Sequence, residues 1–326
     1  MRLIETPDNP APPGAVVSMA RAVDGVDLRV ARWSPPVAPR GTLAIFGGRA
    51  EFIEKYFETI GEALARGFVV VAMDWRGQGL SARQLAHPAK GHIDDFSLFE
   101  RDIDALAQQA LEPFCPRPWF GLAHSMGGAI LLMQAHGGRS PFTRIVATAP
   151  MIDIHGLRLP RAARLLAETL DGLGLGGAFI PGGKPLSIMA KPFRNNPLTA
   201  DPGRYARNAA LVAADPMLAL GDPTVSWAHA AFRLIDAFAD SEYPRRIQTP
   251  ALIFSAGADR VVETRAVERF ASRLKAGKLI PIPFSEHEIL QERDAIRSQF
   301  WAAFDAFVPG SAAPPVDSAE EAAPEA

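Results

Sequence analysis

Polar and apolar positions along the chain alternate with two periods. Thr42-Leu43-Ala44-Ile45-Phe46, Phe68–Met73, Trp119–Ala123 and Ile145–Ala149 are short apolar runs of the kind buried strands make. Between them, residues 53–66 repeat Ile53, Phe57, Ile60 and Leu64 at helical spacing, with Gly67 as a stop. Residues 96–112 repeat Phe99, Ile103, Leu106 and Leu111 up to Pro113, and Gly127–His136 reads as another helix. Ahead of this beat, 15–20 and 26–33 read as two strands joined by an Asp24-Gly25 turn. The beat stops at Pro150. It resumes with a strand at Ala251–Ser255, a helix at 264–275, a strand at Lys278–Ile282 and a helix at 294–307. Apolar strands alternating with amphipathic helices predict an α/β fold, a mostly parallel, doubly wound sheet covered on both faces.

No strand is legible between Pro150 and Asp240, only helical pieces punctuated by Gly and Pro. Residues 151–240 are therefore expected to form a helical cap, inserted between the fourth and fifth strands of the parallel repeat. One core then comprises 15–150 and 241–308. Residues 309–326 hold four acids, no base and four prolines, so they are expected to be a disordered acidic tail.

The 326 residues are 48% hydrophobic, enough for a sizeable core, which excludes wholesale disorder. A net charge of −2 gives no basic field for nucleic acid. One cysteine, Cys115, excludes an intrachain disulfide framework and a multi-cysteine zinc site. No apolar run reaches the roughly 18–20 residues of a membrane helix. Met1–Glu5 meets an acid at once, unlike a signal peptide. The expected place is the cytoplasm, in solution or at the inner membrane face.

The strongest chemical signal is Gly121-Leu122-Ala123-His124-Ser125-Met126-Gly127-Gly128. A serine between a buried strand and a helix, with Ala and Gly two residues to either side, fits a nucleophile elbow. That turn lifts the hydroxyl out of the sheet and leaves the Met126 N–H aimed at a developing oxyanion. The glycine-rich Phe46–Phe52 segment follows a strand, and the second oxyanion N–H is assigned to Arg49. A serine needs a base and the base an orienting acid. His287 follows the last strand and Asp259 the strand before it. The order Ser125, Asp259, His287 fits an α/β-hydrolase. Asp74, Arg76 and Ser81 are expected to brace the site from a tight turn. Among the remaining histidines, His124 is expected to pack under the elbow and His92 to brace a loop near the mouth. Gly172–Gly177 matches a dinucleotide pattern but follows a helical stretch, so it lacks the required strand.

These segments resemble the α/β-hydrolase superfamily, in its lysophospholipase and monoacylglycerol-lipase-like branch, nearest to bacterial lysophospholipase L2-type proteins. Gly47–Tyr56, Asp74–Ser81, Gly91–Phe96 and Leu122–Gly128 carry the resemblance, with Asp259–Val262, His287–Leu290 and Asn196–Asn208. Gly47-Gly48 departs from the His-Gly usual in monoacylglycerol lipases. The resemblance implies hydrolysis of a single-chain lipid ester, without metal or cofactor.

The cap offers an apolar stripe, Ala162, Leu165, Leu166, Thr169 and Leu170, near Arg158, Arg161, Arg164, Lys184, Lys191 and Arg194. This suits an acyl chain with a phosphate head group, or docking on anionic lipid. The alternative is a stripe folded against the cap's own core. Readings that stay open are a small-ester carboxylesterase, an aminopeptidase-like hydrolase, acyl transfer, and a non-catalytic binding protein on the same fold.

Overall fold

In the computed structural model, which describes residues 2–309, the chain builds one eight-stranded sheet. The strands are β1 (Val16–Arg21), β2 (Asp27–Trp33), β3 (Thr42–Phe46), β4 (Val69–Met73), β5 (Trp119–His124), β6 (Arg144–Thr148), β7 (Ala251–Ala256) and β8 (Gly277–Ile282). Their order is β1-β2-β4-β3-β5-β6-β7-β8. β1, β2 and β4 pair antiparallel, and β4 through β8 are parallel. β3, β4 and β5 are buried along their whole length, which explains why their sequences are unbroken apolar runs.

The helices are α1 (Phe57–Ala65), α2 (Leu98–Leu106), α3 (Glu112–Phe114), α4 (Met126–His136), α5 (Pro160–Leu170), α6 (Pro202–Ala214), α7 (Val225–Ala239), α8 (Thr264–Ala271) and α9 (Asp294–Phe307). Most boundaries shift by a residue or two, and two helix ends shift for reasons visible in the structure or by more than that. The helix expected to stop at Pro113 continues to Phe114, because a π turn at Ala107–Leu111 shifts the hydrogen-bond register just before the proline. The helix expected over 264–275 ends at Ala271.

From β3 the chain steps one way to β4 and the other way to β5. This reversal opens a crevice at the carboxyl ends of β3 and β5, where α/β sheets hold their ligands. Phe46 and Ala123 are register partners, so the glycine loop after β3 and the serine turn after β5 emerge side by side.

Between β6 and β7 the described residues add no strand to the sheet and supply α5, α6 and α7. α5 buries Ala167, with Ala163 partly covered, against Phe232 and Ile235 of α7. The stripe read from sequence lies on the other face. Leu165 is 64% exposed and Leu166 47%. The stripe is thus not folded against the cap's own core, because the small alanines take the close helix–helix contact. The stretch expected to be a tail lies outside the described residues, apart from Pro309.

Candidate active site

Ser125 stands between β5 and α4 with φ 50° and ψ −115°, a conformation that L residues seldom adopt. The turn is this sharp because the neighbours are small. A Cβ on Gly127 would lie 2.6 Å from the Gly47 carbonyl oxygen. Ser125 Oγ lies 3.0 Å from His287 Nε2, and His287 Nδ1 lies 2.8 Å from Asp259 Oδ2. The carboxylate partner places the imidazole N–H on Nδ1 and leaves Nε2 to accept the serine proton. Asp259 Oδ1 accepts the Val261 and Val262 N–H groups at 2.8 and 3.0 Å. Burial opposes charge on Asp259, but His287 and these N–H groups hold its carboxyl below the usual range. All three side chains are buried.

The N–H groups of Arg49 and Met126 have no hydrogen-bond partner among the described residues. Met126 follows the serine directly, and Arg49 follows Gly48, where an added Cβ would lie 3.1 Å from the Ser125 Cβ. Such free donors are costly unless a ligand oxygen takes them. Trp75 Nε1 donates to the Gly47 oxygen at 2.9 Å and Gln78 Nε2 to the Gly48 oxygen at 2.8 Å. Gln78 Oε1 accepts the Ala50 N–H at 3.2 Å, so one amide grips the loop on both sides of Arg49.

The turn after β4 therefore braces the site through Trp75 and Gln78, which the sequence reading passed over. Asp74 instead accepts from Ile53 N, Leu80 N and the Arg29 guanidinium. Ser81 Oγ donates to the Asp74 carbonyl, and Arg76 turns away to Asp102 and Asp24.

A second group also escaped the sequence reading. Lys55 Nζ sits 2.6 Å from Glu51 Oε1 and 2.5 Å from Glu288 Oε1, all three buried. Glu51 Oε2 also accepts from Tyr56 Oη at 2.6 Å and from the Gly48 N–H. Burial opposes its charge, yet Lys55 and His124 bring Glu51 down to about 2. This network ties the glycine loop to the residue following His287. Its only trace in sequence is Glu51 and Lys55 four residues apart, a spacing that usually marks a solvated helix face.

His124 lies beside His287, ring centroids 4.6 Å apart, with Nδ1 3.1 Å from the Thr148 carbonyl oxygen. Burial pushes its pKa down to about 3, against the pull of Glu51. The unfolded imidazole titrates near 6.5, so between 6.5 and 3 only the unfolded chain takes up this proton. Stability then falls as pH falls. His124→Asn keeps a donor to Thr148 and removes that titration. Between about pH 7.5 and 5, wild type is expected to lose about 2 kcal/mol more than this variant, read from urea midpoints. Equal losses would remove the argument. His92 bridges to the 151–240 segment, with Nδ1 3.2 Å from Thr224 Oγ1. Gly172–Leu175 lies in a π turn, Asp171–Leu175, that continues α5, with no strand before it.

A cavity of about 240 Å³ opens above Ser125. Its apolar wall includes Met151, Leu186, Met189, Leu220, Trp227 and Val262. No residue of α5 lines it; within 151–240 the lining comes from Met151 and Ile154 before α5 and from residues between Leu186 and Trp227 after it. The described residues contain no cluster of three or more metal-ligating side chains.

Residues 37–294 match the family model described as "Serine aminopeptidase, S33". The chain belongs to this family. It is an α/β-hydrolase. It is 35% identical over 297 residues to lysophospholipase L2 of Escherichia coli K12, covering 85% of this chain and 82% of that protein. It is 27% identical to the monoacylglycerol lipase of Mycolicibacterium smegmatis, covering 83% of this chain and 89% of the relative. Among solved structures, a soluble variant of Saccharomyces cerevisiae monoglyceride lipase superposes with a TM-score of 0.71 at 17% identity, over 89% of this chain and 95% of that one. A carboxyl esterase from Bacillus coagulans gives 0.74 at 19% identity, over 91% and 98%. These two likenesses bear on the fold alone.

Proposed function

We propose that this family member hydrolyses the carboxylic ester of a single-chain lipid, a lysophospholipid or monoacylglycerol, through an acyl-enzyme on Ser125. The observation that carries the reading is the Ser125–His287–Asp259 line of 3.0 and 2.8 Å hydrogen bonds at the floor of an apolar cavity. Ser125 Oγ attacks the ester carbonyl as His287 Nε2 takes its proton. The N–H groups of Arg49 and Met126 receive the oxyanion. The imidazolium, held by Asp259, gives its proton to the departing alkoxide. Water, deprotonated by the same nitrogen, then releases the fatty acid. The L2-type and monoacylglycerol-lipase relatives support the substrate class. An aminopeptidase would need free carboxylates for the substrate amine. Of the three carboxylates lining the cavity, Glu51 and Glu288 are held by Lys55 and Asp222 accepts the Lys184 N–H, while Arg49 and Lys191 also line it.

The test is a comparison of specificity constants for a long-chain lysophospholipid, a monoacylglycerol, a short nitrophenyl ester and an amino-acid amide. The lipid esters should lead by at least about tenfold; dominance of the amide would overturn the reading.

The 151–240 segment acts in this reading as a cap that also meets anionic lipid. Leu159 and Leu173 are 72% and 70% exposed and, with Leu165 and Leu166, form an outward apolar surface beside the exposed Arg158 and Arg161. Among the described residues no helix is long and apolar enough to cross a membrane, so contact would be peripheral. Sedimentation with phosphatidylglycerol vesicles should fall severalfold in a Leu165→Gln/Leu166→Gln variant; unchanged binding, or no binding by wild type, refutes this part.

A further inference from the structure

The buried cations of this protein follow a rule. Arg29 meets Glu54 and Asp74, Lys55 meets Glu51 and Glu288, Arg76 meets Asp24 and Asp102, and Arg297 meets Glu62 and Glu58. Each has two carboxylates, as charge removed from water requires. The partly buried Arg83 has none, but its donors go to the carbonyls of Ser81, Pro88 and Met217.

Arg49, partly buried in the wall of the active-site cavity, has neither arrangement. Among the described residues no carboxylate lies within ion-pair distance of its guanidinium. Nη2 donates to the Gly221 oxygen at 2.7 Å, and the group lies over the Trp227 ring, 5.2 Å from its centroid. Nε is shut off from solvent and has no hydrogen-bond partner. Burial pulls the guanidinium down to about 10, and the neighbouring Asp222 opposes this only in part. A cation so placed is incomplete without an anion.

Resting on the lipid-ester reading above, we infer that the Arg49 side chain is a subsite for the phosphate of a lysophospholipid head group. The backbone of Arg49 meets the oxyanion, and its side chain reaches into the same cavity. In a 1-acyl lysophospholipid, phosphorus stands as many bonds from the ester carbonyl carbon as the guanidinium carbon of Arg49 stands from its own backbone nitrogen. With the carbonyl oxygen on that N–H, the phosphate comes within reach of the guanidinium, whose planar donors suit phosphate oxygens. A monoacylglycerol offers a hydroxyl there and leaves the cation unneutralised. Arg49 thereby sets head-group specificity, while the triad sets the chemistry.

The experiment uses the full chain in neutral detergent micelles, with 1-myristoylglycerol 3-phosphate and 1-myristoylglycerol as the substrate pair. The readout is the ratio of their kcat/KM values, from which any common loss cancels. Arg49→Gln should lower the phosphate-to-neutral ratio by about 10–100-fold. Arg49→Lys should restore part of it, and Asp222→Asn, which removes the competing anion, should raise it. An unchanged ratio in Arg49→Gln overturns the inference, whether both substrates slow or neither does. A second measurement needs neither lipid substrate nor a folded variant. Glycerol 3-phosphate should inhibit wild-type hydrolysis of a short nitrophenyl ester competitively, at least tenfold more strongly than glycerol. Equal inhibition by the two overturns the subsite. If wild type cleaves the nitrophenyl ester but neither lipid, the lipid-ester reading fails, and the inhibition pair still decides the phosphate subsite.

Discussion

Ser125→Ala is expected to leave the fold intact and lower kcat for any ester substrate by about 10⁴–10⁶-fold. The methyl occupies the same strained backbone position, so the elbow persists and only the nucleophile is lost. Asp259→Asn should cost about 10⁴-fold by a different route. The substituted amide would keep its oxygen facing the N–H groups of Val261 and Val262, which Asp259 satisfies through Oδ1. Its NH₂ would then face His287 Nδ1, which must become the acceptor. The imidazole proton moves to Nε2 and points at Ser125, so the base is in the wrong tautomer. Turnover of a nitrophenyl ester, with circular dichroism and melting temperature as controls, measures both. Retained turnover in a folded Ser125→Ala variant would remove the mechanism.

Much of this site was legible because each part sits at a fixed place in a strand–loop beat. An apolar run, a small-residue turn and a helix gave Ser125; the loops after the last two strands gave Asp259 and His287. Those residues stand where the chain's own periodicity delivers them. Residues that support them through the third dimension left no such trace. Gln78 reads as one polar position in a turn, yet its amide spans the glycine loop. Asp74 and Arg76 read as braces for the site from that turn, but each meets an opposite charge on another element, Arg29 and Asp102. The stripe on α5 was visible as a pattern, while its direction was set by Ala163 and Ala167, whose small size lets α7 approach.

Lys55→Met is expected to lower stability by about 3–5 kcal/mol, because it strands two buried carboxylates without their shared cation. Met fills nearly the same volume, so lost packing contributes little. The pH dependence separates this cause from a cavity effect. Two facing carboxylates with no cation have folded pKa values raised above their unfolded ones. A group of that kind loses stability as pH rises, so the deficit of Lys55→Met should shrink from about pH 7.5 to about pH 5. A cavity would give a deficit independent of pH. Adding Glu288→Gln removes one of the stranded charges and should recover part of the loss, which independent sites would not do. Catalysis should suffer as well. Glu51 holds the Gly48 N–H next to Arg49, and Glu288 adjoins His287 in sequence. A displacement of the order of 1 Å in either costs about 10²-fold in rate. Urea midpoints and kcat for wild type, Lys55→Met and the double variant measure both consequences. A pH-independent deficit with unchanged kcat would mean that the network neither bears charge stress nor positions the site.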